Sequence, residues 1–261
     1  MANYILDNAG DQTVDRFSAL EHCFDPVTIR QLEAIGVTDG WTCLEVGGGG
    51  GSIARWLAER IGPDGKVVVT DIDPRWLNAT VENIEVRRHD IVHDRLEPRM
   101  FELVHARLVL LHLPERQRAL RRMIDALRPG GYLLIEDFDC TWLPFVTQTD
   151  ADDQRLFTRV IDAFHETLSD AGVDIAHGRH FYRWLRDEGL TDVRVEANAQ
   201  VFEGGLIGCR LHRANIAQLH ERLVGSGRLT DDEIARFHEM VEDPRFAVSS
   251  HLLVSATGRR P

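Results

Sequence analysis

Residues 41–52 read Trp-Thr-Cys-Leu-Glu-Val-Gly-Gly-Gly-Gly-Gly-Ser, a short apolar run that ends in glycines. WTCLEV has the length and character of a buried strand. The next segment, SIARWLAERIG, carries Ile53, Trp56, Leu57, Arg60 and Ile61 at helical spacing, and Gly62-Pro63 stops it. Strand, glycine loop and helix in this order make a general nucleotide-binding device. Glycine lets the main chain turn with positive φ and lets a ligand come close. The start of the following helix presents N–H groups.

Glycines alone do not choose the ligand, but the spacing narrows it. A dinucleotide fingerprint needs G-x-G-x-x-G. Counted from Gly47 its third glycine falls on Ser52, and counted from Gly48 on Ile53. A phosphate-binding P-loop needs Gly-Lys-Ser/Thr, and this loop has no lysine. Glu45 stands at the strand's end just before the glycines. Its carboxylate would repel a pyrophosphate and suits a ligand that carries an ammonium group and a sulfonium.

Beyond the loop the alternation continues. Asp64-Gly65 turns the chain into a second strand, KVVVT, and Pro74 can open a helix. IEVRRH and FELVHA are the third and fourth strand candidates. Pro114 sits in the first turn of a helix running to Leu127, Pro129-Gly130-Gly131 stops it, and YLLIEDF is a fifth strand. Strands alternating with helices predict a mainly parallel sheet with helices on both faces. Asp71, at the end of the second strand, can accept hydrogen bonds from both ribose hydroxyls of an adenosine ligand. Asp73, before Pro74, reads as a helix cap. Asp90 follows the third strand. Its carboxylate can accept from an adenine amino group, and the Ile91 N–H can donate to the ring.

The outer segments read differently. Residues 13–36 predict two short helices, VDRFSALEHCF and PVTIRQLEAIG, with Pro26 at a helix start. Residues 150–171 carry Leu156, Val160, Phe164 and Leu168 at helical spacing. HGRHFYRWLRDEGL predicts a helix closed by Gly189, and TDVRVEANAQVF a strand. Residues 206–224 and 230–242 predict two further helices before a last strand in SSHLLVSATG. The expected layout is one domain: an N-terminal helical lid over 1–40, a cofactor-binding core over 41–140, a helical insertion over 141–190, and last strands over 191–261 with helices inserted at 205–243. Tyr4 and Arg16 are expected in the lid, and the inserted helices are expected to cap the site.

The 261 residues carry a formal net charge of −12, which disfavours nucleic-acid partners. Arg116, Arg118, Arg121, Arg122 and Arg128 cluster locally, but Glu115 and Asp125 share their helix, so the cluster reads as a solvated face. Cys23, Cys43, Cys140 and Cys209 are scattered, a spacing that argues against a zinc site and against a disulfide framework. No apolar run is long enough to span a membrane, and the first residues, MANYILDNAGDQ, lack the pattern of a secretory signal. A cytoplasmic protein without a membrane partner is expected.

Taken in order, LEVGGGGG, VVVTDID, HDI, FELVHARLVLLHL and LRPGGYLLIED resemble the motifs of class I S-adenosylmethionine-dependent methyltransferases, notably the ubiquinone/menaquinone-type small-molecule enzymes. The resemblance covers about residues 40–140. It implies a doubly wound α/β fold, a seven-stranded mostly parallel Rossmann-like sheet with the last strand antiparallel, and helical cap insertions. It also implies methyl transfer from S-adenosylmethionine to a small molecule, with S-adenosylhomocysteine as product and no metal. By position, Gly47 and Gly49 would contact the methionine part and Glu45 its charged neighbourhood. Asp71 would hold the ribose, Ile72 and Trp76 would flank the adenine, and Asp90 and Ile91 would read it. The Arg107 carbonyl would meet the ammonium. Trp76 departs from the family, which usually has a smaller apolar residue there.

A hydroxyl acceptor needs a base. His112, in the loop after the fourth strand, is the leading candidate because its ordinary pKa lies near neutrality. Glu136 and Asp137 come next, and His105 falls inside a strand. His177-x-x-His180 has metal-like spacing, but no third ligand is evident, so it reads as a loop. Two other readings remain open: a nicotinamide-dependent oxidoreductase, and a cofactor-binding protein that does not methylate. Either a monomer or a homodimer is compatible with the acidic surface.

Overall fold

TCLEV becomes strand β1 (Thr42–Val46), with Cys43, Leu44 and Val46 fully buried. The computed structural model describes residues 13–77, 81–146 and 150–261. Their contacts divide into two units. Of the described residues, the sheet unit comprises those in Phe24–Asp139, Ala176–Asn198 and Leu253–Pro261, and the helical unit those in Thr13–Cys23, Cys140–Ile175 and Ala199–Leu252.

In the sheet unit, β1 is followed by α2 (Ser52–Ile61), β2 (Lys66–Asp71), β3 (Ile84–Arg88), β4 (Phe101–Arg107), α3 (Arg116–Ala126) and β5 (Leu127–Asp139). Later in the chain come α5 (Phe181–Asp187), β6 (Thr191–Asn198) and β9 (Leu252–Arg259). These seven strands form one sheet in the order β3-β2-β1-β4-β5-β9-β6. β1 pairs in parallel with both β2 and β4, so the order reverses beside β1. That reversal is a topological switch point, where ligands of open α/β sheets bind beyond the strands' carboxyl ends. β9 runs antiparallel to β6, which agrees with the doubly wound sheet expected. The helix α2 buries Ile53, Leu57 and Ile61 against Val67, Val69 and Leu103, each large side chain contributing about 1.5–3 kcal/mol relative to exposure.

The helical unit contains α4 (Ala151–Asp170), α6 (Ile207–Gln218), α7 (His220–Gly225), α8 (Asp231–Glu242) and a ribbon of β7 (Val201–Glu203) with β8 (Ala247–Ser249). Phe157 is its centre, with ring centroids 5.3 Å from Phe145, 5.7 Å from Phe237 and 5.3 Å from Phe246. Thr230 and Glu233 close a capping box on α8, satisfying the first N–H groups of that helix. Burial drives the imidazoles of His165 and His212 down to about 4, and His251 is also lowered.

Four expectations are corrected. The two N-terminal helices are one helix, α1 (Thr13–Ile35), with Pro26 inside it. Its buried positions (Arg16, Ala19, Cys23, Val27, Thr28) continue at helical spacing through the proline, and Pro26 itself is exposed. Packing along that stripe outweighs the roughly 3 kcal/mol that an interior proline costs. Pro74 opens only a three-residue 3-10 turn, Pro74–Trp76, capped by Asp73 as expected. The 206–224 helix breaks at Leu219 into α6 and α7, so three helices precede the last strand rather than two. Pro129-Gly130-Gly131 does not stop α3, which ends at Ala126; those residues lie inside β5, where the register with β4 shifts. Tyr4 lies outside the described residues. No described helix is long and apolar enough to cross a membrane.

Candidate functional site

The glycine loop is pinned to the end of β2. The N–H groups of Gly47 and Gly48 donate to the Thr70 carbonyl at 2.8 and 3.1 Å. Gly47 has φ +72°, and a Cβ there would lie 2.4 Å from Val109 Cγ2. The backbone is thus held where a side chain does not fit. Asp71 Oδ2 accepts from the Gly49 N–H at 3.1 Å, and its Oδ1 from the Asp73 N–H at 2.9 Å. Each oxygen keeps a second lone pair, so the carboxylate can anchor the loop and still accept a diol. Burial raises the Asp71 pKa, and the backbone donors from Asp73 and Gly49 oppose the shift. Just beyond, Ile72 is 50% exposed and Trp76 36%. Glycine turn, acid and exposed apolar pair therefore come together at one corner of the sheet.

The third predicted element is tied into a turn. Asp90 Oδ1 accepts from the N–H groups of Val92 at 2.8 Å and His93 at 3.3 Å, while Ile91 is buried. Asp90 thus caps its own turn through one oxygen. Arg107 ends β4, and its guanidinium turns to Asp25 Oδ1 at 2.7 Å and Thr28 at 2.8 Å. The next residue, Leu108, holds φ +57°, a conformation that costs a non-glycine residue about 1–3 kcal/mol and concentrates at functional sites. The 3-10 turn Leu110–His112 follows. Asp137 is buried and accepts from the Leu111 N–H at 3.1 Å, which fixes the turn that carries His112.

A buried network on β1, β4 and β5 was not legible in the sequence. β1 and β4 place Glu45 opposite His105. His105 Nδ1 lies 2.6 Å from Glu45 Oε2, and its Nε2 lies 3.3 Å from Glu136 Oε2. Glu45, His105 and Glu136 are 4%, 0% and 1% exposed. Thr28 and Ser255 each donate to Glu136 at 2.5 Å. Burial alone would strip the proton from His105, but the Glu45 charge and the bonds to both carboxylates prevail and push its pKa up to about 9. Burial works against the Glu136 charge, yet His105, Arg107 and Ser255 pull its pKa below the ordinary value. Glu136 is therefore a locked structural charge, which corrects its reading as a base. Glu45 meets an imidazolium rather than standing alone at the strand's end.

Other sequence candidates are accounted for. The five clustered arginines bond to neighbours: Arg116 to the Leu113 carbonyl, Arg118 to Glu115, Arg121 to Glu188, Arg122 to the Asp94 carbonyl and Arg128 to Glu102. That is the solvated face expected. His177 and His180 lie in a 3-10 turn that leads into α5, with His177 buried against Trp184 at 4.8 Å and its Nε2 3.4 Å from Asp137.

A Rossmann-like sheet with an antiparallel strand beside β6 and a glycine turn at its switch point defines a class of nucleotide-binding α/β proteins. Within that class the chain belongs to the methyltransferase-domain family, whose model matches residues 14–195. It is 36% identical over 97 residues to the methyltransferase str2 of Strobilurus tenacellus, covering 37% of this chain and 35% of that protein. It is 27% identical over 184 residues to the ubiquinone/menaquinone biosynthesis C-methyltransferase of Pseudomonas putida, covering 64% of this chain and 68% of the relative. The chain thus spans little more than a third of the fungal relatives it matches, 35% and 40%. The fold is that of phosphoethanolamine N-methyltransferase 2 from Haemonchus contortus, solved with S-adenosylhomocysteine (TM-score 0.61, 16% identity, 100% of this chain and 60% of that one).

Proposed function

We propose that this chain binds S-adenosylmethionine at the carboxyl edge of its sheet and moves the methyl group to a small-molecule acceptor by in-line displacement. One observation carries this reading: Asp71 accepts from Gly49 across the mouth of the glycine turn, with lone pairs to spare and with Ile72 and Trp76 exposed beside it. That is the donor and acceptor set an adenosyl ligand requires. The cradle left by Gly47 supports the fit, because a side chain there would clash. Haemonchus relatives of the same fold were solved with S-adenosylhomocysteine and S-adenosylmethionine, which supports it too.

When bound, S-adenosylmethionine supplies a methyl carbon made electrophilic by its sulfonium. In this assignment Gly47 and Gly49 line the methionine part, and Asp71 orients the ribose. Ile72 and Trp76 flank the adenine, with Asp90 and Ile91 at its edge. The Arg107 carbonyl faces the ammonium. Glu45, neutralised in part by His105, keeps the floor of the site free of positive excess. Holding the acceptor in line and excluding water then provides most of the acceleration. The lid role is assigned to residues 1–40. A cytoplasmic location fits the four cysteines, which are buried and form no disulfide. A monomer or a homodimer is equally compatible, and light scattering on the purified chain distinguishes them.

Calorimetric titration with S-adenosylmethionine, S-adenosylhomocysteine and NADH tests the assignment. Both sulfur compounds are expected to bind at micromolar Kd and NADH not at all. Asp71→Ala is expected to weaken binding by roughly 100-fold, about 2.7 kcal/mol. The same titration on a chain lacking residues 1–20 reads the lid, whose role requires weaker binding. NADH binding alone would sink the methyltransferase assignment.

His112 is assigned the role of general base for a hydroxyl acceptor. With such an acceptor, His112→Gln is expected to lower kcat by roughly 100-fold, within the range of general base catalysis, with KM little changed. Unchanged kcat would remove it from the chemistry.

A further inference from the structure

The helical unit holds a second cluster that the methyl-transfer assignment does not use. Cys140 directly follows β5, His165 lies on the buried face of α4, and His251 occupies the break between β8 and β9. One ligand atom from each, a thiol sulfur and two ring nitrogens, lies within 4.8 Å of the others. Cys140 and His165 are buried, and His251 is half-buried. A third imidazole borders the group: the His251 ring centroid is 5.1 Å from His165 and 5.8 Å from His212. Among the described residues His165 Nε2 and His212 Nε2 are buried without a hydrogen-bond partner.

We infer that Cys140, His165 and His251 form a zinc-binding site, with His212 beside its open fourth position. A thiolate and neutral imidazoles are the donor set of tetrahedral Zn²⁺, with Zn–S near 2.3 Å and Zn–N near 2.0–2.1 Å. The surroundings favour it. Phe164 lies against His165 at 5.8 Å, and Phe157 and Phe202 lie against His212 at 5.7 and 5.8 Å. A histidine kept for packing alone would leave His165 Nε2 and His212 Nε2 buried and unsatisfied, which is costly. An apolar side chain of similar size would avoid that cost. A metal ion gives the His165 and His251 nitrogens and the sulfur a common partner. Three protein ligands and an open position are the pattern of zinc sites that also bind a water or an exogenous ligand.

The departure from the sequence reading has a simple origin. Zinc motifs are recognised by close pairs of ligands along the chain. Here the three donors come from a strand end, a helix and a distant turn, so no pair is close in sequence.

The experiment is a titration of the chelator-treated, full-length protein with Co²⁺, a spectroscopic stand-in for Zn²⁺. One equivalent is expected to produce the visible bands of tetrahedral cobalt and a thiolate-to-cobalt charge-transfer band, both displaced by Zn²⁺. Cys140→Ser is expected to abolish the charge-transfer band. His165→Ala is expected to weaken Zn²⁺ affinity beyond the roughly 10–100-fold that loss of an outer partner costs, and His212→Ala to stay within that range. Cys43→Ala, in the sheet unit, should leave the spectrum unchanged. Where a variant fails to fold, X-ray absorption of the Zn²⁺-loaded wild type decides. One sulfur and two imidazole ligands support the site; a shell without sulfur overturns it. Failure to bind one equivalent, or spectra unchanged in both Cys140→Ser and His165→Ala, also overturns it. None of these readouts depends on S-adenosylmethionine, so the site stands or falls apart from the methyltransferase assignment.

Discussion

Replacing His105 by leucine is expected to lower the unfolding free energy by about 3–5 kcal/mol, the cost of stranding buried charges. Glu45 and Glu136 contact opposite nitrogens of the same ring, and neither has appreciable access to water. Without the imidazolium two buried carboxylates face each other, so one must take up a proton or the strands must part. For a chain of this size the loss corresponds to a fall in Tm on the order of 10 °C. Converting both acids as well, in His105→Leu/Glu45→Gln/Glu136→Gln, is expected to recover part of the loss, because no buried charge remains. A loss smaller than about 1 kcal/mol in the single variant would mean that the carboxylates are not held ionised by His105.

The same network sets a pH dependence whose sign follows from its two shifts. The folded-state pKa of His105 is raised, to about 9 from an ordinary 6.5. Its contribution is therefore complete below about pH 6.5 and is lost as pH rises through about 9. Glu136 is shifted down from an ordinary 4.5, so its contribution is complete above that value and is lost as pH falls through the folded pKa. Denaturant unfolding of the wild type is expected to find greatest stability between about pH 4.5 and pH 6.5 from this network, with a decline toward pH 9. In His105→Leu the alkaline decline should flatten.

What could be read in advance depended on how local the signal was. The strand–glycine–helix unit at 41–62 and the acid at Asp71 are contiguous patterns, and the structure places them as that pattern requires. Pro26 misled because proline is a strong local signal, whereas the stripe from Arg16 to Thr28 that overrides it is a packing effect. By sequence pattern His105 is only a residue inside a strand. Its importance lies in register: Glu45 sits opposite it across β1 and β4, while Thr28 and Ser255 come from the two ends of the chain. One signal was available. An interior strand with a glutamate near its end and a histidine in the neighbouring apolar strand forces two polar groups into a core, and buried charges need partners. The Cys140, His165 and His251 group offered no such hint, because its donors meet only after the helical unit has formed.

The glycine turn carries the second large effect. Gly47→Ala is expected to weaken S-adenosylmethionine binding at least 10-fold, about 1.4 kcal/mol, and to destabilise the fold besides. Two costs combine at this position. A φ of +72° is open to glycine but costs an L-residue about 1–2 kcal/mol. The new methyl would also stand 2.4 Å from Val109 Cγ2, and a valine has no long, flexible end to move aside. Relief must come from the main chain, either the glycine turn or the loop through Leu108 and Val109. Moving the turn breaks the pair of bonds to the Thr70 carbonyl and shifts the Gly49 N–H away from Asp71. The double variant Gly47→Ala/Val109→Ala separates the two costs, since it removes the clash and keeps the strained φ. It is expected to regain most of the binding and only part of the stability. Equal binding by wild type and Gly47→Ala would show that the ligand does not depend on this turn. The adenosyl site would then have to be sought away from the carboxyl end of β1.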